Sequence, residues 1–236
     1  MNIINWSGYE WLTSERWGEI HPEKASSWYD PSAIEIRNGD LVLKTHRNPK
    51  KFIIDGKEIV SNIGIGLVSN TTKFKHGYFE IEAKLPKGKN LWPAFWMWSF
   101  DSWPPEIDIF EGYSNRFASY FKIQFGTLLG FWNVQTNVHY IGDDNKNKSI
   151  KAKTHWMGFK NPQNNFIKYG CLWEENKITI FYNKRKVRTI TDKKFIEQFN
   201  GIDMNLIINN AIRNEDVDYS EFIIRYFKYI PIENYK

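Results

Sequence analysis

Apolar and polar residues alternate with a period of two along most of this chain, a pattern that restricts it to antiparallel β-structure. In Ala33–Thr45, Ile34 and Ile36 alternate with Glu35 and Arg37, Asn38-Gly39 interrupts, and Leu41 and Leu43 resume the apolar face. An Asn-Gly pair between two such runs marks a hairpin with a tight turn. Asp55-Gly56, between Phe52–Ile54 and Ile59–Val60, predicts a second hairpin. In Gly77–Leu85, Phe79, Ile81, Ala83 and Leu85 share one face and Tyr78, Glu80, Glu82 and Lys84 the other, so one side is core and one meets solvent or ligand. Further strands are predicted at Gly66–Ser69, Ala94–Trp98, Ile107–Phe110, Val134–Tyr140, Tyr169–Trp173, Ile178–Tyr182, Lys186–Ile190, Met204–Asn209 and Phe222–Tyr229. The helical candidate, Asp192–Phe199, is short, and the polar stretch Gly142–Asn165 reads as a long loop. Many short strands at regular spacing predict an all-β sandwich of antiparallel sheets. With no internal repeat and no linker, residues 1–236 are expected to form a single domain.

Several classes of function fall away on composition. A chain with 42% apolar and 25% charged residues is not disordered, and none of its apolar runs approaches the ~20 residues of a membrane helix. The lone Cys171 allows neither an internal disulfide nor a cysteine-based zinc site. The net charge of +5 is spread along the chain and not gathered on one arm, so no nucleic-acid or membrane partner is expected. Histidines 21, 46, 76 and 155 show no metal-ligand spacing. Residues 1–20 have no signal-peptide pattern, which leaves the compartment open.

Chemistry concentrates in Trp103-Pro-Pro-Glu106-Ile-Asp108-Ile-Phe-Glu111-Gly112-Tyr113, where three carboxylates interrupt a β-prone apolar strand. Burying such charges is costly unless they find partners or serve a reaction. Glu106 and Asp108 share a strand face, whereas Glu111, an odd number of positions from both, points away. One extra residue, a β-bulge between Asp108 and Glu111, returns it to their side. Two glutamates flanking an aspartate are then equipped for glycosidic hydrolysis with retention, one ionised to attack the anomeric carbon and one protonated to release the departing oxygen.

The run Glu106–Glu111, with its bulged Glu-x-Asp-x-x-Glu spacing, resembles glycoside hydrolase family 16, and so do His76–Gly88 and Leu91–Trp98 ahead of it. The resemblance covers most of the chain. It implies a concanavalin-like β-jelly roll of two antiparallel sheets with a concave substrate cleft, Glu106 as nucleophile, Asp108 as its assistant and Glu111 as acid/base. It also implies an endo-acting enzyme without organic cofactor, working as a monomer on a polysaccharide. The first substrate is a β-1,3- or mixed-linkage glucan; a sulfated galactan is the alternative, favoured by the basic runs Arg47–Lys51, Lys146–Lys153 and Lys184–Arg188. A non-catalytic lectin-like module is a reading from another class. Such substrates imply an extracellular setting.

The chain carries 11 Trp, 12 Tyr and 17 Phe, more aromatic surface than a core of this size needs, and sugar rings stack on flat aromatic faces. Trp92, Trp96, Trp103 and Trp132 are the candidate platforms. Asn137 and His139 share a parity in a segment resembling the family strand with a cleft histidine beside the acid/base, so His139 is expected to bond a sugar hydroxyl or steady Glu111. Two stretches depart from the family pattern. Ile167-Lys-Tyr169-Gly-Cys-Leu-Trp173 lacks the usual histidine, and Gly66-Leu-Val-Ser69 stands where Ser-Gly-Arg is common, so outer subsites are expected to differ. Some relatives hold a structural calcium on the convex face; Asp216, Asp218 and Asn38-Gly39-Asp40 are the candidates for it here.

Overall fold

The computed structural model describes residues 2–21, 24–99, 101–114, 132–157 and 160–235. Two sheets stack face to face. The eight-stranded sheet runs in the order β1 (Ile3–Trp6), β2 (Tyr9–Leu12), β8 (Leu67–Asn70), β17 (Met204–Ile212), β10 (Leu91–Ser99), β11 (Glu106–Ser114), β12 (Asn133–Ile141) and β13 (Asn147–Trp156). The other holds β16 (Arg185–Ile190), β15 (Lys177–Tyr182), β14 (Ile167–Glu174), β9 (Gly77–Lys84), β18 (Ser220–Pro231), β6 (Asp40–Ile54), β7 (Lys57–Ile65), β4 (Lys24–Tyr29) and β3 (Ile20–His21), with β5 (Ile34–Arg37) against β6.

Both predicted hairpins form for the reason that predicts them. Arg37 pairs with Asp40 and Ile54 with Lys57, which leaves Asn38-Gly39 and Asp55-Gly56 as two-residue turns with φ of 53°, 86°, 50° and 75°. Such turns demand positive φ at both positions. The short helix also forms, as α1 (Lys193–Ile196) running into a 3-10 turn at Glu197–Phe199.

Two expectations need correction. The stretch Gly142–Asn165 is not simply a loop, because it contains β13, which pairs with β12 at the sheet edge. Its lysines hide the alternation, and charged side chains are what an edge strand carries to discourage further pairing. Nor are the sheets wholly antiparallel. β4 runs parallel to β7, since the β5–β6 excursion between them is long enough for a crossover.

The core lies between the sheets. Phe95 and Met97 of β10, Ile107, Ile109 and Phe110 of β11, and Val138 of β12 meet Phe79 and Ile81 of β9, Tyr169 of β14 and Phe222 of β18, all fully buried. Each large side chain so buried contributes roughly 1.5–3 kcal/mol. The opposite face of the eight-stranded sheet therefore carries the other parity of β10, β11 and β12. A smaller cluster of Tyr29, Ile63 and Ile65 from β4 and β7 covers Leu67, Trp98 and Ile207.

Candidate active site

The register of β11 breaks between Asp108 and Glu111. On one side Trp96 lies opposite Asp108 but Phe95 opposite Phe110; on the other Asp108 faces Asn137 and Glu111 faces Gln135. Ile109 is thus one residue too many. It and its neighbour Phe110 both enter the core, and the shift returns Glu111 to the parity of Glu106 and Asp108. The three carboxylates lie in register with Trp98, Trp96 and Ala94 on β10 and with His139, Asn137 and Gln135 on β12. Immediately after Glu111, Gly112 has φ of 60°, and a Cβ there would stand 2.7 Å from the Trp92 ring. Only glycine satisfies both the backbone and that contact.

The carboxylates are electrostatically unequal. Asp108 is 3% exposed. Burial, followed by the negative charges of Glu106 and Glu111, pushes its carboxyl well above the ordinary range, and a hydrogen bond with Glu106 adds to the rise. The nearby Arg188 cation opposes this without reversing it. The protonated form of Asp108 is thereby favoured, and in that form it donates to Glu106. Glu106 also accepts a 2.5 Å hydrogen bond from Trp103 Nε1.

His139 sits beside Glu106, not beside Glu111 as the sequence suggested. Its Nε2 is 3.6 Å from both Glu106 Oε1 and Asp108 Oδ2, too long for hydrogen bonds. The Asn137 amide oxygen accepts from Val138 N–H at 2.9 Å, so Nδ2 is left to donate to His139 Nε2 at 3.1 Å.

Among the aromatic candidates, Trp96 is half-buried and donates to Asn209 Oδ1 at 2.7 Å. Trp92 lies under the Arg213 guanidinium, 3.7 Å from its ring centroid. Trp103 is 45% exposed and leans on the His139 ring. Trp132 packs against the inter-sheet core.

Two supporting side chains escaped the sequence reading. Tyr182 Oη donates to the carbonyl of Ile109 at 3.0 Å, giving a partner to a group at the bulge. Arg188, read as part of a basic surface run, is 4% exposed and donates through Nη1 to the Thr136 carbonyl and hydroxyl at 3.1 and 2.8 Å. Its shared parity with Ile190 was the one available signal. Elsewhere in the basic runs, Lys50 pairs with Glu19, Lys51 with Glu58 and Lys148 with Asp144.

Of the calcium candidates, Asn38 and Gly39 form a turn and Asp216 pairs with Lys89 at 2.7 Å. Among the described residues, Glu106, Asp108 and His139 bring ligand atoms within 4.8 Å of one another.

With this geometry in view, known proteins offer a comparison. The family described as glycosyl hydrolases family 16 matches residues 22–219. An endo-1,3-1,4-β-glycanase of Rhizobium meliloti is 25% identical over 188 residues, 75% of this chain and 36% of the relative, so the chain spans little more than a third of that protein. An endo-acting O-glycanase structure from prominent members of the human gut microbiota superposes with a TM-score of 0.72 at 19% identity, over 99% of this chain and 88% of that one. The laminarinase catalytic domain of Thermotoga maritima MSB8 gives 0.66 at 19% identity, over 88% and 83%. At such identities the structural likeness is one of fold.

Proposed function

The chain belongs to glycosyl hydrolase family 16, and from that premise we propose that it is an endo-acting hydrolase cutting internal linkages of a β-1,3- or mixed-linkage glucan with retention of configuration. The observation that carries this reading is the Ile109 bulge, which aligns Glu106, Asp108 and Glu111 on one face beside Trp96 and Trp98. Glu106, accepting from the Trp103 N–H and from protonated Asp108, attacks the anomeric carbon and forms a glycosyl-enzyme ester. Glu111 donates its proton to the departing glycosidic oxygen. It then takes a proton from the water that cleaves the ester, which regenerates both carboxyl groups. Asp108 touches the nucleophile, holding it in place and sharing its proton as charge on Glu106 is consumed and restored.

A neutral glucan is favoured over a sulfated galactan. Four of the basic residues that suggested an anionic substrate are engaged elsewhere: Arg188 in the core, Lys50, Lys51 and Lys148 in pairs with acids. The name of the Rhizobium meliloti relative points the same way.

The test is a Glu106→Gln variant, assayed for released reducing ends on β-1,3-glucan, mixed-linkage glucan, agar and carrageenan. The parent protein is expected to cleave a glucan, and the variant to bind β-1,3-gluco-oligosaccharides without cutting them. Equal release by variant and parent would defeat the proposal.

A further inference from the structure

The hairpin of β15 and β16, at one edge of the ten-stranded sheet, reaches across the core to the strands that carry the carboxylates and their partners. Arg188 lies opposite Ile180 in its ladder and turns, like Ile180, into the core. Tyr182 Oη meets the Ile109 carbonyl where β11 breaks register. Arg188 Nη1 meets the Thr136 carbonyl and hydroxyl, and there the pairing of β12 with β13 breaks in turn, between Thr136 and Val138. Thr136 precedes Asn137, the residue opposite Asp108. Both irregularities beside Asp108 are thus tied to the opposite sheet by side chains of one hairpin.

The second tie carries a charge that holding a strand does not need. Thr136 offers only neutral acceptors, and Arg188 Nη2 is buried with no hydrogen-bond partner among the described residues. A buried cation is costly, and a guanidinium does not escape the cost by releasing its proton. The titratable groups around it leave one acid to answer that charge. On β13, His155 Nε2 stands 2.9 Å from Thr136 Oγ1; burial, followed by the charges of Arg188, Lys153 and Arg185, brings its pKa down to about 4, so the ring is neutral above that pH. On β15, burial raises Tyr182 well above the ordinary phenol range, which keeps its hydroxyl neutral. Asp108 of β11 remains, and attraction between it and Arg188 favours the charged form of each. Asp108 in turn meets the negative charges of Glu106 and Glu111 on its own strand and has His139 of β12 3.6 Å away.

We propose that Arg188 is a positioning residue of the reaction: it ties β12 in place behind the carboxylate row and sets a permanent positive charge there that offsets part of the row's negative charge. This rests on the retaining-hydrolase reading above and deepens it. Double displacement needs Glu106 charged in the resting enzyme and neutral in the glycosyl-enzyme, with two further carboxyl groups beside it throughout. A fixed cation in a low-dielectric core makes such a row easier to ionise. Arg188 does so from the core side of the sheet, where it takes no room from a sugar and is shielded from solvent ions.

The experiment compares the pH profiles of wild type, Arg188→Met, Arg188→Lys and Tyr182→Phe on β-1,3-glucan. Arg188→Met is expected to lower kcat about tenfold with KM within about twofold, and to move both limbs of the kcat/KM profile up by about half a pH unit or more. Arg188→Lys keeps the charge, so its limbs should stay in place and its kcat within about threefold of wild type. Tyr182→Phe loses a tie and no charge, so its limbs should also stay. Unmoved limbs in Arg188→Met, or a kcat that falls as far in Arg188→Lys, overturn the proposal. Should Arg188→Met fail to fold, Arg188→Lys decides: a kcat within about threefold and unmoved limbs support the proposal, and any larger loss or displaced limbs overturn it. NMR of protein carrying 13C at its aspartate carboxyl groups reads the same charge without turnover, the Asp108 signal being identified by its loss in Asp108→Asn. Its titration midpoint should lie higher in Arg188→Met than in wild type and match wild type in Arg188→Lys; an equal midpoint in Arg188→Met, or a displaced one in Arg188→Lys, overturns the proposal. A wild type that cuts no glucan, with the midpoints as expected, overturns the proposed activity while upholding the charge behind the row.

Discussion

Asp30 and Asp108 are two aspartates buried to the same degree, 2% and 3% exposed, and they ionise in opposite directions. Asp30, between β4 and the 3-10 turn at Pro31–Ala33, accepts from Ser32 N–H at 2.8 Å, Ser32 Oγ at 2.7 Å, Asn48 Nδ2 at 2.6 Å and His46 Nε2 at 2.8 Å. Burial alone would raise its pKa, but these donors outweigh burial and lower it. Asp108 has the same burial and faces two further carboxylates, so its pKa is raised well above the ordinary value. Burial pushes both carboxyls up; the donors around Asp30 outweigh it, and the neighbours of Asp108 add to it. A carboxylate with every lone pair engaged holds the fold, whereas one held against its own kind is poised to move a proton.

Four substitutions sharpen or break this contrast. The largest effect is expected from Glu111→Gln, which removes the proposed proton donor and should lower kcat on a glucan by about 10²–10⁴-fold; Asp30→Asn should leave kcat within twofold. Next is Asp108→Asn, with kcat down by roughly 10–100-fold, the lower part of the range for a lost proton-transfer group. Its stability should change in the other sense. Because the folded pKa of Asp108 is raised, the stability it contributes is fully present below the unfolded value of about 3.9 and is lost as pH climbs through the folded value. The variant escapes that loss, so its thermal midpoint should exceed that of wild type by a margin that widens above pH 4.

Asp30→Asn reverses the sign. The folded pKa of Asp30 is lowered, so its contribution is present above the unfolded value and lost as pH falls through the folded one. The variant should lose about 1–3 kcal/mol near neutrality, read in denaturant titrations, and the deficit should close in acid. The smallest effect belongs to Tyr182→Phe, which takes the hydroxyl from the Ile109 carbonyl. About 1 kcal/mol of stability and a several-fold drop in kcat are expected. An unchanged kcat would mean that the bulge holds its shape without that bond.

Much of the fold and of the carboxylate row was legible because local rules agreed with the global outcome. Asn38-Gly39 and Asp55-Gly56 could sit only in tight turns, and Glu106, Asp108 and Glu111 could share a face only through a bulge. What stayed hidden depends on contacts between residues far apart in the chain. Tyr182 reads as a core aromatic, and nothing within Ile178–Tyr182 says that its hydroxyl meets Ile109, 73 positions away. Nothing in Thr13-Ser-Glu-Arg16 announces the burial of Glu15, which follows from how the N-terminal strands join the sheet edge beside β8. Arg188 and β13 were masked by neighbouring lysines, whose charge mimics an open surface.

The proposed reaction depends on Glu106 and Glu111 acting together from one face. The anomeric form of the first products tests this most directly, through proton NMR spectra collected during the first minutes of β-1,3-glucan digestion, before mutarotation. Double displacement predicts that the β-anomer accumulates first and the α-anomer grows in afterwards. Initial release of the α-anomer would contradict it, since a single displacement needs carboxylates set farther apart, with a water between them.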